Sequence, residues 1–393
     1  MAEDPVQERH RDTPEELAER RAAVRALARE WLDAGRYRPG CDAWLRGHDP
    51  DFTRELAKRG WIGITWPRHL GGAYRSHAAR LVITEELLRA GAPVAAHWIA
   101  DRQIGPAILS YGTPKLQQEF LPGIAAGELT FCLGMSEPEA GSDLAAVRTA
   151  ATRVPGGWRI SGRKIWTSHA HESSHAYVLA RSERTERKHE GLTEFIVDMR
   201  SDGVSVSPIV DLAGRHHFNE MVFDEVFVDD DRVIGTVGEG WSQVTAQLAY
   251  ERGGPERVLS TYPLLAALVE ATRPAAAKRP DGAAAREVGT LVARLAALRR
   301  MCWEVARAMD EGRAPVREAA VLKYLGTQFE RDVIEAGRQV LDRPPRLAGG
   351  GDDEGDEAAR LLGEAVLAAP GFSIRGGTSE ILLTIIARGE TRR

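Results

Sequence analysis

Apolar side chains recur with a helical period through the first part of the chain. Thr13 and Glu16 flank Pro14 as a capping residue, a proline at the first helical position and a glutamate at the third, so a helix is predicted to begin here. Apolar residues from Leu17 to Trp31 then fall on one face of that helix. Further helical runs are predicted over residues 52–59, 77–89, 104–110 and 116–126. Residues 1–128 are therefore predicted to form a helical domain.

The period becomes strand-like from residue 129 to residue 232. Two strands over 149–154 and 158–166 are joined by Pro155-Gly156-Gly157, which predicts a tight turn. Further apolar or alternating runs lie at 176–180, 194–197, 204–210 and 221–228. The charged stretch 181–190 alternates acids with bases and is interpreted as a solvated loop. These patterns predict a middle β domain.

The helical period returns after residue 239, and a C-terminal helical domain is predicted over 233–393. One stripe repeats at steps of four and three residues, which predicts a long helix with this face buried. Its members are Leu291, Leu295, Leu298, Cys302, Val305 and Met309. Two more helices are predicted over 316–341 and 379–388, and the Gly-, Pro- and Asp-rich segment 344–356 is predicted to be a mobile loop.

Composition excludes several classes of protein. The chain has 393 residues, 43% of them apolar, which is enough for two or three packed units around a full core. Its net charge is −5 with acids and bases interspersed, so nucleic acid is not an expected partner. No run of about 20 apolar residues and no basic start followed by an apolar run is present, so neither a membrane span nor a leader is expected. Three widely spaced cysteines suit a reducing cytoplasm.

Four short motifs stand near the junctions of the predicted domains. They are Gly134-Met135-Ser136-Glu137-Pro138-Glu139-Ala140-Gly141-Ser142-Asp143, Trp166-Thr167-Ser168, Glu251-Arg252 and Ile374-Arg375-Gly376-Gly377-Thr378-Ser379-Glu380-Ile381. In this order, the motifs and the domains resemble the acyl-CoA dehydrogenase family from about Pro14 to Arg388. The resemblance implies an α+β fold with an N-terminal helical domain, a middle β-barrel-like domain and a C-terminal four-helix bundle. Supporting landmarks of the first domain are Glu85-Glu86-Leu87, Tyr111-Gly112 and Phe120-Leu121-Pro122.

The resemblance implies an FAD cofactor and a set of residues that contact it. A single tryptophan in a hairpin usually packs against the core, and a single serine after glycine usually forms a turn or a helix cap. The hypothesis of a flavin site therefore depends on the joint occurrence of the motifs. The positions that match flavin contacts of the family are Met135, Ser136, Ser142, Trp166, Ser168, Thr378 and Glu380. Arg286 matches an arginine that reaches the flavin phosphates of a neighbouring subunit in relatives.

The sequence has two candidate positions for a catalytic base. Removal of a proton next to a thioester needs a positioned base and a polarised carbonyl, and a cofactor must accept the hydride. The family holds its glutamate either before the C-terminal Gly-Thr, where this chain has Gly376, or before an arginine on the helix after the β domain, where it has Glu251. The resemblance therefore implies Glu251 as the base, Gly376 as a backbone donor to the carbonyl and Arg252 as support for the pocket. The competing interpretation of Glu251 is a surface glutamate paired with a cation.

Three departures from the family pattern affect the substrate and the cofactor. Arg375 stands before the two glycines, where it could bind a polar or anionic acyl group or could point to solvent. Gly289 replaces an aromatic residue that commonly follows the arginine at position 286, and 346–354 replaces an ordered glycine motif. Cofactor affinity and subunit arrangement are therefore open. His216 and His217, near Asn219, have no second ligand cluster at zinc spacing, so no metal site is predicted.

The expected function is α,β-dehydrogenation of an acyl-CoA or of another acyl thioester, such as one on a carrier protein. Electrons would pass to an electron-transferring flavoprotein, and a homodimer or homotetramer, or a hetero-oligomer, is expected. One alternative is a non-catalytic or half-site subunit of a mixed oligomer. The other is a flavin oxidase or monooxygenase on the same fold, although a glutamate at the base position argues against the monooxygenase.

Overall fold

The structure, a computed structural model, describes residues 9–279, 282–341, 344–347 and 356–390. The side chains of residues 248–251, 275, 389 and 390 lie outside that description. Among the described residues the element order is helices, then strands, then helices, which confirms the predicted fold class. No helix in these ranges is long and apolar enough to cross a membrane.

The N-terminal block begins with the predicted cap. The Thr13 hydroxyl accepts from the Glu16 N–H at 3.2 Å, and the Glu16 carboxylate accepts from the Thr13 N–H at 2.8 Å, so two backbone donors are satisfied reciprocally. A π turn, Ala100–Ile104, separates the fifth and sixth helices. The helices are α1 (Pro14–Asp33), α2 (Ala43–Arg46), α3 (Pro50–Lys58), α4 (His77–Arg89), α5 (Ala95–Ile99), α6 (Gly105–Tyr111) and α7 (Pro114–Ala125).

The middle domain is an eight-stranded mixed sheet with the order β6-β7-β3-β2-β4-β5-β8, and β1 pairs in parallel with β4. The strands are β1 (Phe131–Gly134), β2 (Ala150–Val154), β3 (Gly157–Ser168), β4 (His175–Arg181), β5 (Leu192–Asp198), β6 (Val204–Val210), β7 (His216–Asp229) and β8 (Val233–Ile234). Because β8 pairs with β5, the sheet extends past the boundary predicted at residue 232. Strand β7 begins at His216, whereas the sequence predicted a strand only over 221–228, so both histidines belong to the strand.

The C-terminal domain contains the predicted buried stripe and two helices that were not predicted individually. All six apolar residues of the stripe are buried on a single helix, where each lies about one turn from the next. These two helices are Tyr262–Lys278 and Glu357–Phe372. The helices are α8 (Gly240–Arg252), α9 (Tyr262–Lys278), α10 (Ala283–Asp310), α11 (Val316–Val340), α12 (Glu357–Phe372) and α13 (Ser379–Glu390).

The two helical blocks share one hydrophobic core. Trp31 and Phe52 from the first block belong to the same buried cluster as Leu264 and Leu322 from the last. The buried carboxylate of Glu85 on α4 reinforces this contact, because it pairs with arginines of both α1 and α10. The two helical blocks are therefore packed together as one unit.

Candidate active site

The turn between α12 and α13 is a glycine turn held by two arginines. Gly376 and Gly377 have φ values of 66° and 96°, in the left-handed region that favours glycine. A Cβ atom at Gly376 would lie 3.0 Å from the Arg257 guanidinium, and one at Gly377 would lie 3.2 Å from Arg252 Nη2. Arg252 is buried, and its Nε donates to the Gly376 carbonyl at 3.1 Å. The C-terminal end of α8 therefore sits against the glycine turn.

Glu251 precedes Arg252 in the last turn of α8. Its backbone is helical, and its side chain lies outside the described part of the structure. Because the next residue bonds to Gly376, positions 251 and 376, the two at which the resemblance implies a base, lie at the same junction of the fold. The role of Glu251 as the base stays a prediction.

Arg375 turns inward. Its Nη1 donates to Asp42 Oδ2 at 2.6 Å and its Nη2 to the Ser260 hydroxyl at 3.2 Å. The guanidinium also lies over Trp44, 4.6 Å from the ring centroid, and over Phe372 at 4.8 Å. The alternative in which Arg375 points to solvent is therefore wrong. The role of Arg375 in substrate binding stays a prediction. Its guanidinium is already paired with Asp42.

A buried ion pair between Lys164 and Glu137 fixes the loop after β1 to strand β3. Lys164 on β3 is fully buried, and its Nζ donates to the Met135 carbonyl at 3.0 Å and to Glu137 Oε1 at 2.9 Å. Burial lowers the pKa of Lys164 to about 8, against the opposing effect of Glu137. The Ile165 N–H donates to the Ser136 carbonyl at 2.9 Å. The backbone of Met135 and Ser136 is thus fixed to β3.

The Glu137 carboxylate completes this anchor. It accepts from the backbone N–H groups of Arg148 at 2.7 Å and Thr149 at 2.9 Å. Burial tends to raise the pKa of Glu137, but the Lys164 charge and these donors outweigh burial and hold the pKa below its usual value. Glu137 and Lys164 were not predicted as site residues. The signal for Lys164 was present, since it occupies an inward position of the β3 alternation that also buries Trp158 and Ile160.

Trp166 presents an uncovered aromatic face beside this loop. It sits at a β-bulge in the β3–β7 pairing with a left-handed φ of 61°, an uncommon conformation for a bulky residue. The side chain is 56% exposed and meets Phe218 edge-on at 5.8 Å. Ser168 is half-buried, Ser142 is exposed, and a Cβ atom at Gly141 would have nothing within 4 Å. The exposed aromatic surface of Trp166 fits a planar ligand such as a flavin ring.

Helix α2 connects the Trp166 segment to the glycine turn. A ring nitrogen of His169, directly after Ser168, lies 2.7 Å from the Leu45 carbonyl, and Asp42 at the other end of α2 binds Arg375. Trp44 between them donates its indole N–H to the Ser260 hydroxyl at 3.1 Å. The structure therefore brings the Trp166–Ser168 segment and the glycine turn to one short helix, a link that sequence reasoning missed.

The remaining predicted contacts lie at the surface. Arg286 is exposed near the start of α10, and Gly289 is exposed with nothing within 4 Å of a Cβ atom. Thr378 accepts from the Ile381 N–H at 3.4 Å, as a cap of α13 does, and Glu380 is exposed in the first turn. Most of the segment 346–354 lies outside the described residues, so its predicted effect on cofactor binding is not tested.

The two adjacent histidines of β7 belong to a polar cluster. His216 stacks on His171 with the ring centroids 4.0 Å apart, and its Nε2 lies 2.7 Å from Asn219 Oδ1. His217 is buried, and burial lowers its pKa to about 4, so it is neutral at pH 7. Within the described ranges these residues do not belong to a group of three metal-ligating side chains.

A buried acid of the sheet lies against α8. Glu194 on β5 accepts from Gln243 Nε2 at 2.8 Å and from Gln247 Nε2 at 3.2 Å, and it interacts with the Tyr177 hydroxyl. Burial raises the pKa of Glu194 to about 7, in spite of these hydrogen bonds. Its protonation state therefore changes near neutral pH, underneath the helix that carries Glu251.

Glu194→Gln is expected to alter the pH dependence of stability. Between about pH 4.5 and pH 7 the unfolded state releases the Glu194 proton while the folded state keeps it, so the wild type loses stability as pH rises. Glutamine has no proton to release. The free energy of unfolding of the variant, relative to wild type, should rise by about 3 kcal/mol between pH 4.5 and pH 8. Urea unfolding at several pH values measures this difference.

Glu186→Gln is the matched control, because Glu186 is an exposed glutamate of the same domain, in the loop between β4 and β5. Its relative stability should stay constant across the same pH range. A constant difference for Glu194→Gln as well would mean that Glu194 is ionised at neutral pH in the folded protein.

Comparison with known proteins identifies relatives over nearly the whole chain. Three family models match: the acyl-CoA dehydrogenase N-terminal domain at residues 14–128, the middle domain at 132–226 and the C-terminal domain at 238–391. Acyl-CoA dehydrogenase IpdE1 of Mycobacterium tuberculosis is 36% identical over 342 residues, which cover 86% of each chain.

Two solved assemblies have the same fold. The Tcur3481-Tcur3483 steroid ACAD has a TM-score of 0.83 and 26% identity, and the match covers 97% of this chain and 98% of that one. The ChsE4-ChsE5 complex from Mycobacterium tuberculosis has a TM-score of 0.75 and 27% identity, with 97% and 98% covered. Both are named as pairs of different proteins.

Proposed function

The chain belongs to the acyl-CoA dehydrogenase family, and from that membership we propose that it oxidises an acyl-CoA thioester with Glu251 as the base. Family membership makes it an oxidoreductase that dehydrogenates acyl-CoA. The proposal adds the residues and their roles. Glu251 takes the α-proton, the Gly376 N–H polarises the thioester carbonyl, and Arg252 fixes the turn against α8.

The hydrogen bond from Arg252 Nε to the Gly376 carbonyl, 3.1 Å long, carries this proposal. A base and a carbonyl-polarising donor must act on neighbouring atoms of the substrate, so they must come from adjacent backbone segments. Glu251 is bonded to Arg252 in the chain, and Arg252 contacts the turn. This adjacency supports a shared role for two motifs that are 125 positions apart in the sequence.

Members of this family are flavoproteins, and we propose FAD as the cofactor. A bound FAD would supply the acceptor for the β-hydride. Met135 and Ser136 would line its ring together with Trp166 and Ser168. The exposed indole of Trp166 and the open space at Gly141 support this fit. Further proposed contacts are Ser142, Thr378, Glu380 and, toward a neighbouring subunit, Arg286.

The purified protein is expected to be yellow and to lose its visible flavin absorbance when acyl-CoA is added without oxygen. Transfer of the hydride to the flavin bleaches the absorbance, and the absence of oxygen prevents reoxidation. Absorbance spectra recorded during anaerobic titration with a panel of acyl-CoAs measure the effect. A protein that binds flavin but is bleached by none of them would contradict the proposed reaction. Fast release of peroxide in air would instead favour an oxidase over transfer to an electron-transferring flavoprotein.

A second candidate is a subunit of a mixed oligomer, as opposed to a homodimer or homotetramer. The two solved assemblies above, named as pairs, favour it. Native mass spectrometry of the protein from its own cells would separate the candidates. A second dehydrogenase chain in the assembly, together with a colourless isolated chain, would favour the mixed oligomer.

A further inference from the structure

Ser260, between α8 and α9, joins α2 and α11 to the glycine turn through its hydrogen bonds. Its hydroxyl accepts from the indole N–H of Trp44 at 3.1 Å and from Arg375 Nη2 at 3.2 Å. Its carbonyl accepts from the Asp42 N–H at 2.8 Å. Its own N–H donates to Glu330 Oε1 at 2.9 Å. Two acidic residues, Asp42 and Glu330, are therefore linked through Ser260 to the side chain that precedes the turn.

The Arg375 side chain is enclosed on several sides. The Asp42 carboxylate, 2% exposed, accepts from Arg375 Nη1 at 2.6 Å. Glu330 is also buried, and burial raises the pKa of its carboxyl while the positive charge of Arg375 opposes that rise. The ring centroids of Trp44 and Phe372 lie 4.6 and 4.8 Å from the guanidinium carbon. A guanidinium with two bonded partners and two ring contacts has one favoured orientation, so this side chain is fixed.

The backbone on both sides of Arg375 is held as well. Lys323 Nζ on α11 donates to the carbonyl of Phe372, the last residue of α12, at 2.6 Å. A cation at that place also meets the negative end of the helix dipole. On the other side, Arg252 Nε donates to the Gly376 carbonyl at 3.1 Å. The segment is thus held at its start, at its end and, through the side chain of Arg375, between them.

The orientation of the Gly376 N–H follows from the position of Arg375. The two residues share one planar peptide unit, so a rotation of the Arg375 backbone turns the Gly376 N–H with it. A donor that polarises a carbonyl must point at the position where negative charge develops. A displacement of about 1 Å can cost roughly 100-fold in rate. Groups that hold Arg375 therefore also aim this donor.

We propose, on the basis of the proposed function, that Asp42 and Glu330 are positioning residues for the dehydrogenation. Asp42 holds the Arg375 guanidinium directly. Glu330 holds Ser260, whose hydroxyl bonds the same guanidinium. The two acids thereby aim the Gly376 N–H at the thioester carbonyl, and they do not touch the reacting atoms. Because Nη1 and Nη2 of Arg375 are engaged in this role, an anionic acyl group would have to displace Asp42 or Ser260 to bind them.

The test measures polarisation of the thioester carbonyl separately from turnover. The probe is an enoyl-CoA with a ¹³C-labelled carbonyl, chosen as the tightest binder from a panel of acyl chains, because an enoyl group has no hydride left to transfer. When this compound binds to the intact protein, its carbonyl stretching band should shift to a lower wavenumber than for the free compound. Infrared difference spectra measure the shift, and anaerobic bleaching by the matching saturated acyl-CoA measures turnover.

Asp42→Asn keeps the shape of the side chain, and asparagine tolerates the left-handed φ of 60° at this position. The variant should lose most of the band shift and bleach roughly 10- to 100-fold more slowly at saturation, with the half-saturating acyl-CoA concentration changed less than about 3-fold. Glu330→Leu should act in the same direction, whereas Glu330→Gln keeps an acceptor for the Ser260 N–H and should retain more of the shift. Ser260→Ala removes only a hydroxyl and should also reduce the shift, so it tests the inference even if the Asp42 variant does not fold.

Asp12→Asn is the matched control. Asp12 is a buried aspartate in the segment before α1 that accepts from Arg20 Nε at 3.0 Å and from the Ser76 hydroxyl at 2.8 Å. Its substitution should lower the melting temperature, as that of Asp42 does, because a buried arginine contact is weakened in both. The band shift and the bleaching rate should stay at their wild-type values.

The outcomes distinguish this inference from the proposed function. A wild-type band shift in both Asp42→Asn and Ser260→Ala, or an equal loss of the shift in Asp12→Asn, would overturn the inference. Tighter binding of a carboxylate-ended acyl-CoA by Asp42→Asn, with the band unchanged, would overturn it in favour of anion binding by Arg375. A shift that the variants lose, in a wild type that no acyl-CoA bleaches, would retain the inference and reject the proposed reaction. Equal bleaching of wild type and Asp42→Asn, with an equal shift, would do the reverse.

Discussion

Glu251→Gln is expected to slow flavin reduction by acyl-CoA by roughly 10²- to 10⁴-fold, which is the contribution of a positioned general base. Glutamine has nearly the same shape but cannot accept the α-proton. Since the substitution is isosteric, the flavin content and the melting temperature should change little. Stopped-flow measurement of the anaerobic bleaching rate, at saturating acyl-CoA, gives the loss directly.

Two variants make this result specific. Glu239→Gln removes an exposed glutamate at the other end of α8 and should leave the rate unchanged. Glu251→Asp keeps a carboxylate on a shorter side chain and should fall between wild type and Glu251→Gln. A wild-type rate in Glu251→Gln would move the base elsewhere, either to another residue of this chain or to a partner subunit.

The periodic elements could be predicted from the sequence, and the aperiodic ones could not. Strand β6 has the bounds that its alternating pattern predicts, and α4 also has the predicted bounds, although residues 79–88 of α4 are all buried. Strands β1 and β8 are too short to show a period. Helix α12 is capped by Asp356 and has a polar side with Glu357, Arg360 and Glu364, but it also contains Pro370 and two glycines, which are unfavourable inside a helix and weaken its pattern.

Some residues of the candidate site could be predicted from the sequence, and others could not. Motifs reveal residues that act together within a few positions, such as Glu251 with Arg252 or Gly376 with Gly377. They do not reveal partners that the fold supplies. Asp42 meets Arg375 across 333 positions, and its own neighbours contain no pattern typical of an active site. The inward-facing orientation of Arg375 therefore depends on tertiary structure alone.

The buried ion pair of Lys164 and Glu137, which the sequence analysis did not predict, has the largest expected effect on stability. Lys164→Met is expected to lower the free energy of unfolding by about 3–5 kcal/mol, because the buried carboxylate of Glu137 loses its counter-charge. It should also lower the flavin content, since the Met135 carbonyl loses the Lys164 donor that holds it. Urea unfolding and the ratio of flavin to protein absorbance measure the two effects.

A matched pair in the same domain shows why burial decides the size of this loss. Lys188 and Asp143 form an ion pair at 2.8 Å with side chains 53% and 56% exposed, so Lys188→Met should cost less than about 1 kcal/mol. Adding Glu137→Gln to Lys164→Met removes the unpaired buried carboxylate and should recover most of the stability. The loop would still lack the hydrogen bond from Lys164. If the double variant stays as unstable as Lys164→Met, the loss comes from packing around Lys164 rather than from the charge. If the double variant recovers its stability but its flavin content stays low, the ion pair serves to hold the loop in position for the cofactor.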